Sequence, residues 1–245
     1  MRSRTLLLVL PVLLVVGCAQ FPRSEGQAPL RVLFVGNSLT ATNDLPAVVA
    51  TLAKTFGPAE VEYRTIAPGG VSLEDHWAAG TAPEALASGD WDAVVMQQGP
   101  SALPESQVNL REWAVRFAGA ARANGVRPAL LTVWPESERL YVFAHVISSY
   151  ANAAAAADAE LYPAGLAWRA AWRKSPRLPL YGPDGFHPSP LGTYLTAIVV
   201  LAGLMDEPPI GLPFRIDRPG FQLEVSAARA KLLHDAATEA LAVTE

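Results

Sequence analysis

Two short groups of residues in this 245-residue chain have the types and spacing that acyl-transfer chemistry needs. The first is Gly36-Asn37-Ser38-Leu39, which follows a short apolar run at 31–35. A serine on a tight strand-to-helix turn exposes its hydroxyl, and its own N–H points into the same space. A helix N-terminus adds positive potential there, which favours a developing anion. A hydroxyl alone is a poor nucleophile and needs a base. The second group supplies one. Asp184 stands three residues before His187, inside the turn-rich run 181–190. One loop turn can aim the carboxylate at the imidazole, fixing its tautomer and stabilising the imidazolium. Each group also has a plainer reading. Ser38 can be a capping or turn serine, and Asp-x-x-His can be a loop hydrogen bond without catalytic use.

The other three histidines do not compete for the role. His76 and His145 fall in helical stretches and read as surface or packing residues, and His234 reads as structural on the last helix. No HExxH occurs and the histidines are scattered, so no metal site is expected. A single cysteine forms no internal disulfide and no multi-cysteine metal site.

The elements that must carry these residues alternate. Strands are expected at 31–35, 61–67, 91–97, 127–134 and 160–163, from short apolar or β-branched runs that end in turn formers. Helices are expected from Asn43-Asp44 to about 56, at 73–79, 83–88, 107–124, 138–157, near 191–204 and at 225–243. Such alternation implies an α/β fold with a mostly parallel five-stranded sheet and helices on both faces. A sheet of this kind binds ligands beyond the carboxyl ends of its strands. Three segments stand just there: Gly36 to Leu39, Gly69-Gly70, and Gln97-Gln98-Gly99.

Composition narrows the class. Half of the chain is hydrophobic (51%) and only 17% is charged, which rules out disorder for most of it. The net charge of -4 gives no reason to expect a nucleic-acid partner. At the start, Arg2 and Arg4 precede an apolar run at 6–16. At about 1.5 Å per residue it reaches about 16 Å, too short for a hydrocarbon core of about 30 Å. It reads as a secretory signal. Val15-Val16-Gly17-Cys18 resembles a lipobox, in which the cysteine is acylated, and the plainer reading is an ordinary signal with a chance cysteine. The expected division is a signal peptide at 1–17, a lipid anchor and tether at 18–29, and one domain at 30–245. Membrane attachment would then come from lipid on Cys18.

At this point the residues resemble a family. Gly36-Asn37-Ser38-Leu39 is similar to the GDS(L) or GNS block of the SGNH (GDSL-like) hydrolases, and Asp184-x-x-His187 to their C-terminal DxxH block. The wider run 36–46, GNSLTATNDLP, resembles a bacterial branch of the superfamily. The resemblance covers about residues 30–205. It implies a three-layer α/β/α fold of flavodoxin type and ester hydrolysis without metal or organic cofactor. Ser38 would be the nucleophile, His187 the base and Asp184 its orienting partner. Gly70-Val71-Ser72 matches the second block, whose glycine N–H serves the oxyanion hole, with Gly69 as a one-residue alternative. The third block usually reads G-x-N-D. Here Gln97-Gln98-Gly99-Pro100-Ser101 contains no asparagine and resembles a QGES-like version. Gln98 is therefore the expected third donor, with Ser101 as the alternative and capping of strand-end backbone as the plainer role.

The function expected from these readings is an exported, membrane-tethered serine esterase. Its expected substrate is a short acyl ester, such as acetyl, on a glycan. Trp134, Trp77 and Tyr181 either stack on a sugar or pack internally. Two other classes stay open at this stage. One is a non-catalytic lipoprotein binding a glycan in the same pocket; the other is a flavodoxin-type nucleotide binder whose loop after the first strand cradles phosphate.

Overall fold

The computed structural model describes residues 28–56, 60–207, 213 and 215–243. Cys18, the expected signal segment and all but the last two residues of the expected tether lie outside the described residues.

The chain runs β1 (Leu30–Val35), α1 (Ser38–Ala41), α2 (Leu45–Phe56), β2 (Val61–Ile66), α3 (Leu73–Ala79), α4 (Thr81–Ser88), β3 (Ala93–Met96), α5 (Pro104–Ala123), β4 (Arg127–Leu131), α6 (Phe143–Ala157), β5 (Glu160–Tyr162), α7 (Ala164–Lys174), α8 (Pro190–Met205), β6 (Arg215–Arg218), β7 (Phe221–Glu224) and α9 (Ala227–Leu241). The five-stranded sheet has the order β2-β1-β3-β4-β5 and every pairing in it is parallel. β3 (Ala-Val-Val-Met) is buried along its whole length, as a central parallel strand covered on both faces must be. β2 lies at the edge and is mostly exposed, which admits Glu62 and Arg64. Helices α3 to α6 pack together as one layer, and α2 with α7 to α9 as the other. α8 is apolar on nearly all sides and buried from Leu191 to Ala202, because α2, α7 and α9 wrap it.

The register is what matters for the site. Val35 of β1 pairs with Ile66 of β2 and with Met96 of β3. Three strands therefore end at one level, and the residues that follow them, Gly36, Ala67 and Gln97, leave the sheet side by side.

The expected strands and helices are present, with shifted ends. β4 stops at Leu131, and the Thr132–Trp134 continuation is loop. α5 begins at Pro104, because proline suits a first turn and lacks the N–H that would go unpaired there. Residues 137–142 form a 3₁₀ turn ahead of α6, with Arg139 non-helical. α1, α7 and the two strands of the β6–β7 hairpin were not expected. α7 follows β5 after Pro163, and its small residues Ala164, Gly165, Ala167, Ala170 and Ala171 line a buried face together with Trp168. β6 and β7 form an antiparallel hairpin around Pro219-Gly220, where Gly220 takes φ 77°. Its four-residue strands are too short to give a periodic signal.

Candidate active site

Ser38 is the first residue of α1. Asn37 caps that helix, its Oδ1 accepting the Leu39 N–H at 3.1 Å. His187 comes from the loop between α7 and α8. Its Nε2 lies 2.9 Å from Ser38 Oγ, and its Nδ1 lies 2.5 Å from Asp184 Oδ2. A carboxylate only accepts, so Nδ1–H donates to Asp184 and Nε2 is left with a lone pair toward the serine hydroxyl. Asp184 Oδ1 also accepts the N–H groups of Phe186 and His187, each at 3.0 Å. The His187 hydrogen bond, reinforced by these N–H groups, holds the Asp184 carboxyl down at about 2. It is thus a carboxylate throughout the neutral range.

The loop that carries this pair is fixed from several sides. Gly182 N–H donates to His187 O at 2.7 Å, closing the turn. Ser137 N–H donates to Gly185 O at 2.7 Å, and Trp134 Nε1 to Phe186 O at 2.9 Å. Gly185 takes φ 70°, a left-handed conformation that favours glycine, and a Cβ there would also force the Ser137 hydroxyl to turn away. Asn43, itself at φ 57°, donates from Nδ2 to Pro188 O (2.9 Å) and to Thr193 Oγ1 (2.8 Å). A cleft of about 420 Å³ opens beside His187, lined by Thr42, Asn43, Tyr181, Pro183, Asp184 and Pro190 among others.

The second and third segments stand near Ser38 through Asn37 and Gln97. Gly70 takes φ 76° at the exposed end of the second segment, and neither its N–H nor that of Ser38 has a partner among the described residues. Asn37 Nδ2 donates to Val71 O at 3.1 Å, tying this segment to the serine turn. Gln98 is only 3% exposed and already engaged. Its Oε1 accepts Leu73 N–H at 3.0 Å, and its Nε2 donates to Ser101 Oγ at 3.0 Å and Asn109 Oδ1 at 3.4 Å. Gln98 thus caps the start of α3 and the Ser101 turn, and both its donor and acceptor sides are engaged. Serving an oxyanion would take one of its two amide hydrogens from a present partner. Ser101 sits in the left-handed region (φ 51°), its hydroxyl turned to Gly99 O and Gln98. The fully buried Tyr150 hydroxyl donates to Gln98 O at 2.6 Å and accepts Gln98 N–H at 3.1 Å.

Several aromatic and histidine roles also resolve. Trp134 is 1% exposed and stacked on Trp168, which excludes it from a sugar platform. Trp77 packs edge-on against Phe117. Tyr181 lines the cleft, but its hydroxyl donates to Pro135 O at 2.6 Å, and burial raises its pKa. His76 is buried, and burial lowers its pKa, leaving a neutral ring whose Nε2–H donates to Gly36 O at 2.6 Å. His234 lies 3.1 Å from the Tyr194 hydroxyl, far along the chain from the site. Among the described residues no cluster of His, Cys, Asp or Glu could hold a metal ion, and no helix is long and apolar enough to cross a membrane.

Sequence reading missed Asn37, Thr40, Asn43, Gln97 and Tyr150 as site residues. The first three lie within the run 36–46 that carried the family resemblance. Gln97 lies in the strand-end segment at 97–99, but its partner Asn37 is 60 positions away, and Tyr150, 52 positions from Gln98, carries no local signal.

No protein-family profile and no curated protein matches the chain. Solved structures do. A protein from Slackia heliotrinireducens, ascribed to the SGNH hydrolases, is 30% identical over 72% of this chain and all of that one, with a TM-score of 0.62. A DUF4886 family protein from Bacteroides uniformis is 18% identical over 88% of this chain and 95% of that one, with a TM-score of 0.73. A lipase/acylhydrolase from Enterococcus faecalis is 16% identical over 72% and 96%, with a TM-score of 0.57. The first of these, with the parallel five-stranded sheet between two helical layers, places the chain in the SGNH (GDSL-like) hydrolases. The other two share its fold.

Proposed function

We propose that the protein is a serine esterase in which Ser38, His187 and Asp184 act as a triad. The observation that carries this reading is the continuous hydrogen-bonded line from Asp184 Oδ2 through both nitrogens of His187 to Ser38 Oγ. Ser38 Oγ attacks an acyl carbonyl carbon while its proton moves to His187 Nε2. The carbonyl oxygen becomes an oxyanion held by the N–H groups of Ser38 and Gly70, and by a Gln98 amide hydrogen released from its longer bond to Asn109. The intermediate collapses as His187 returns the proton to the departing alkoxide. Water then attacks the acyl-serine, gives its proton to Nε2 and frees the acid.

The substrate best suited to this site is a short acyl ester, such as acetyl, on a bulky alcohol such as a glycan. Asp184 and His187 keep 49% and 33% of their side-chain surface exposed, so the site is an open shelf able to receive one ester of a larger molecule. One fold neighbour, 15% identical, is an acetyl xylan esterase, so this fold accommodates deacetylation of a polysaccharide. Attachment through Cys18 fits the same picture. β1 starts at Leu30 and ends five residues later, about 16 Å away at about 3.3 Å per residue, just before Ser38. A tether entering at Leu30 joins the domain at the end of β1 opposite Ser38, which leaves the site open to envelope or external polymers.

Hydrolysis of p-nitrophenyl esters across acyl lengths, on the wild type and Ser38→Ala, tests the chemistry. Activity is expected to be highest at acetyl or propionyl and absent in Ser38→Ala. Mass spectrometry of the mature N-terminus tests the anchor. An acylated Cys18 is expected, and an unmodified terminus at another residue overturns that part.

A further inference from the structure

We infer that Asn37 and Gln97 act together as positioning residues, holding the nucleophile and the oxyanion donors in one geometry. The inference rests on the reading of Ser38 as nucleophile. The ladder between β1 and β3 ends with the Gln97 N–H on Val35 O at 2.9 Å. Beyond that point side chains continue it. Gln97 Oε1 accepts the Asn37 N–H at 3.0 Å, and Gln97 Nε2 donates to Asn37 Oδ1 at 3.0 Å. The glutamine amide thus acts as one more peptide group in the sheet, one residue short of Ser38.

The remaining bonds complete the arrangement. Gln97 Oε1 also accepts the Thr40 hydroxyl at 2.8 Å, and its Nε2 also donates to Gln98 O at 2.5 Å. Asn37 Nδ2 donates to Val71 O, next to Gly70. Asn37 and Gln97 are 6% and 1% exposed, and their amide groups are satisfied on both the donor and acceptor sides. A buried amide pair satisfied in this way has one low-energy arrangement, since any flip sets donor against donor.

The consequence falls on the Ser38 N–H. In a planar trans peptide the C=O of Asn37 and the N–H of Ser38 point in opposite directions. That C=O accepts the N–H groups of Thr40 and Ala41, each at 3.0 Å. With the Asn37 N–H and side chain also tied, the Ser38 N–H can point only outward into the site. Asn37 then sets the distance between this donor and the Gly70 loop through a bond that only an amide can make. An aspartate would keep both acceptor contacts of Oδ1 and lose the donor to Val71.

The test compares the wild type with Asn37→Asp, Gln97→Glu, Thr40→Val and Ser38→Ala. The readouts are kcat and KM on p-nitrophenyl acetate, the rate of Ser38 labelling by a fluorophosphonate, and the thermal midpoint. Misplacing a reacting group by about 1 Å can lower a rate about 100-fold. Asn37→Asp and Gln97→Glu should each lower kcat and the labelling rate about 10- to 100-fold, with KM within about twofold. Thr40→Val, which removes one hydroxyl and keeps the shape, should lower both about threefold. If either amide variant fails to fold, the other and Thr40→Val decide. Labelling of the folded variants at the wild-type rate, with Ser38→Ala unlabelled, overturns the positioning role alone. A wild type that is not labelled at Ser38 overturns the nucleophile reading and this inference with it.

Discussion

Ser38 and His187 stand 2.9 Å apart but are held by different kinds of structure. Behind Ser38 are Asn37, Thr40, His76, Gln97 and Gln98, none more than 6% exposed, all anchored to strand ends or to α3. Behind His187 is a surface loop in which Asp184 keeps half its side-chain exposure, and the anchors are single bonds sent in from Trp134, Ser137 and Asn43. Ser38 is therefore positioned by the sheet itself, and His187 by a loop that a few distant groups hold down. The first arrangement resists local change because each bond is backed by others. The second has separable anchors, whose removal should loosen His187 without unfolding the domain.

The largest effect tests whether the two regions work as one unit. Ser38→Ala and His187→Ala should each reduce kcat about 10,000-fold or more, and the double variant should be barely worse than either. Additive losses would mean that serine and histidine act separately.

Next comes the buried side. Gln98→Ala should lower kcat about 100- to 1,000-fold, as expected for a lost oxyanion donor, with KM little changed. Gln98→Asn should fall between, because its shorter arm reaches less far, and Ser101→Ala should be nearly silent. A mild Gln98→Ala with a damaging Ser101→Ala would transfer the role to Ser101. Silence of both would leave the hole to the N–H groups of Ser38 and Gly70.

On the loop side, Asn43→Gly keeps the left-handed backbone accessible while removing the bonds to Pro188 O and Thr193. It should lower kcat/KM about tenfold and leave the Ser38 region unchanged, so that a small, fast-reacting fluorophosphonate still labels, only more slowly. A loss as large as that of His187→Ala would show that the loop has no other effective anchor.

The smallest effect is on stability. Asp184 sits at about 2 against an ordinary 3.8, chiefly through the hydrogen bond from His187. A carboxyl depressed in the folded state stabilises it above the unfolded value, and that contribution disappears as pH falls to the folded value. The thermal midpoint of Asp184→Asn should lie slightly below the wild type above about pH 4, and the gap should close between about pH 4 and 2. Asp184 is exposed and screened, so the gap is small. A gap that widens on acidification would contradict the assigned hydrogen bond.

Much of this was legible in the sequence because the informative residues are local. Gly36-Asn37-Ser38 is a strand-ending turn, and Asp184-x-x-His187 closes on itself within four residues, so type and spacing alone foretell both. The alternating apolar runs likewise foretell the parallel sheet, whose register then aligns three strand ends. What could not be read depends on contacts distant in sequence. Gln97 and Gln98 are adjacent and chemically identical, yet one reaches back to Asn37 and the other to Leu73 and Asn109, because successive residues leaving a strand point to opposite sides. Asn43 reads as a helix cap but spends its amide on Pro188, 145 positions away. The β6–β7 hairpin, whose Arg218 pairs with Asp44 at 2.8 Å, was hidden by its short strands.

The central claim is that Ser38 is a nucleophile activated by His187. Its most direct test is mass spectrometry of the protein after reaction with a fluorophosphonate. A single adduct mapped to the peptide carrying Ser38, formed by the wild type and lost in His187→Ala, is the predicted result. An adduct on another serine, or equal labelling of Ser38 without His187, would contradict it.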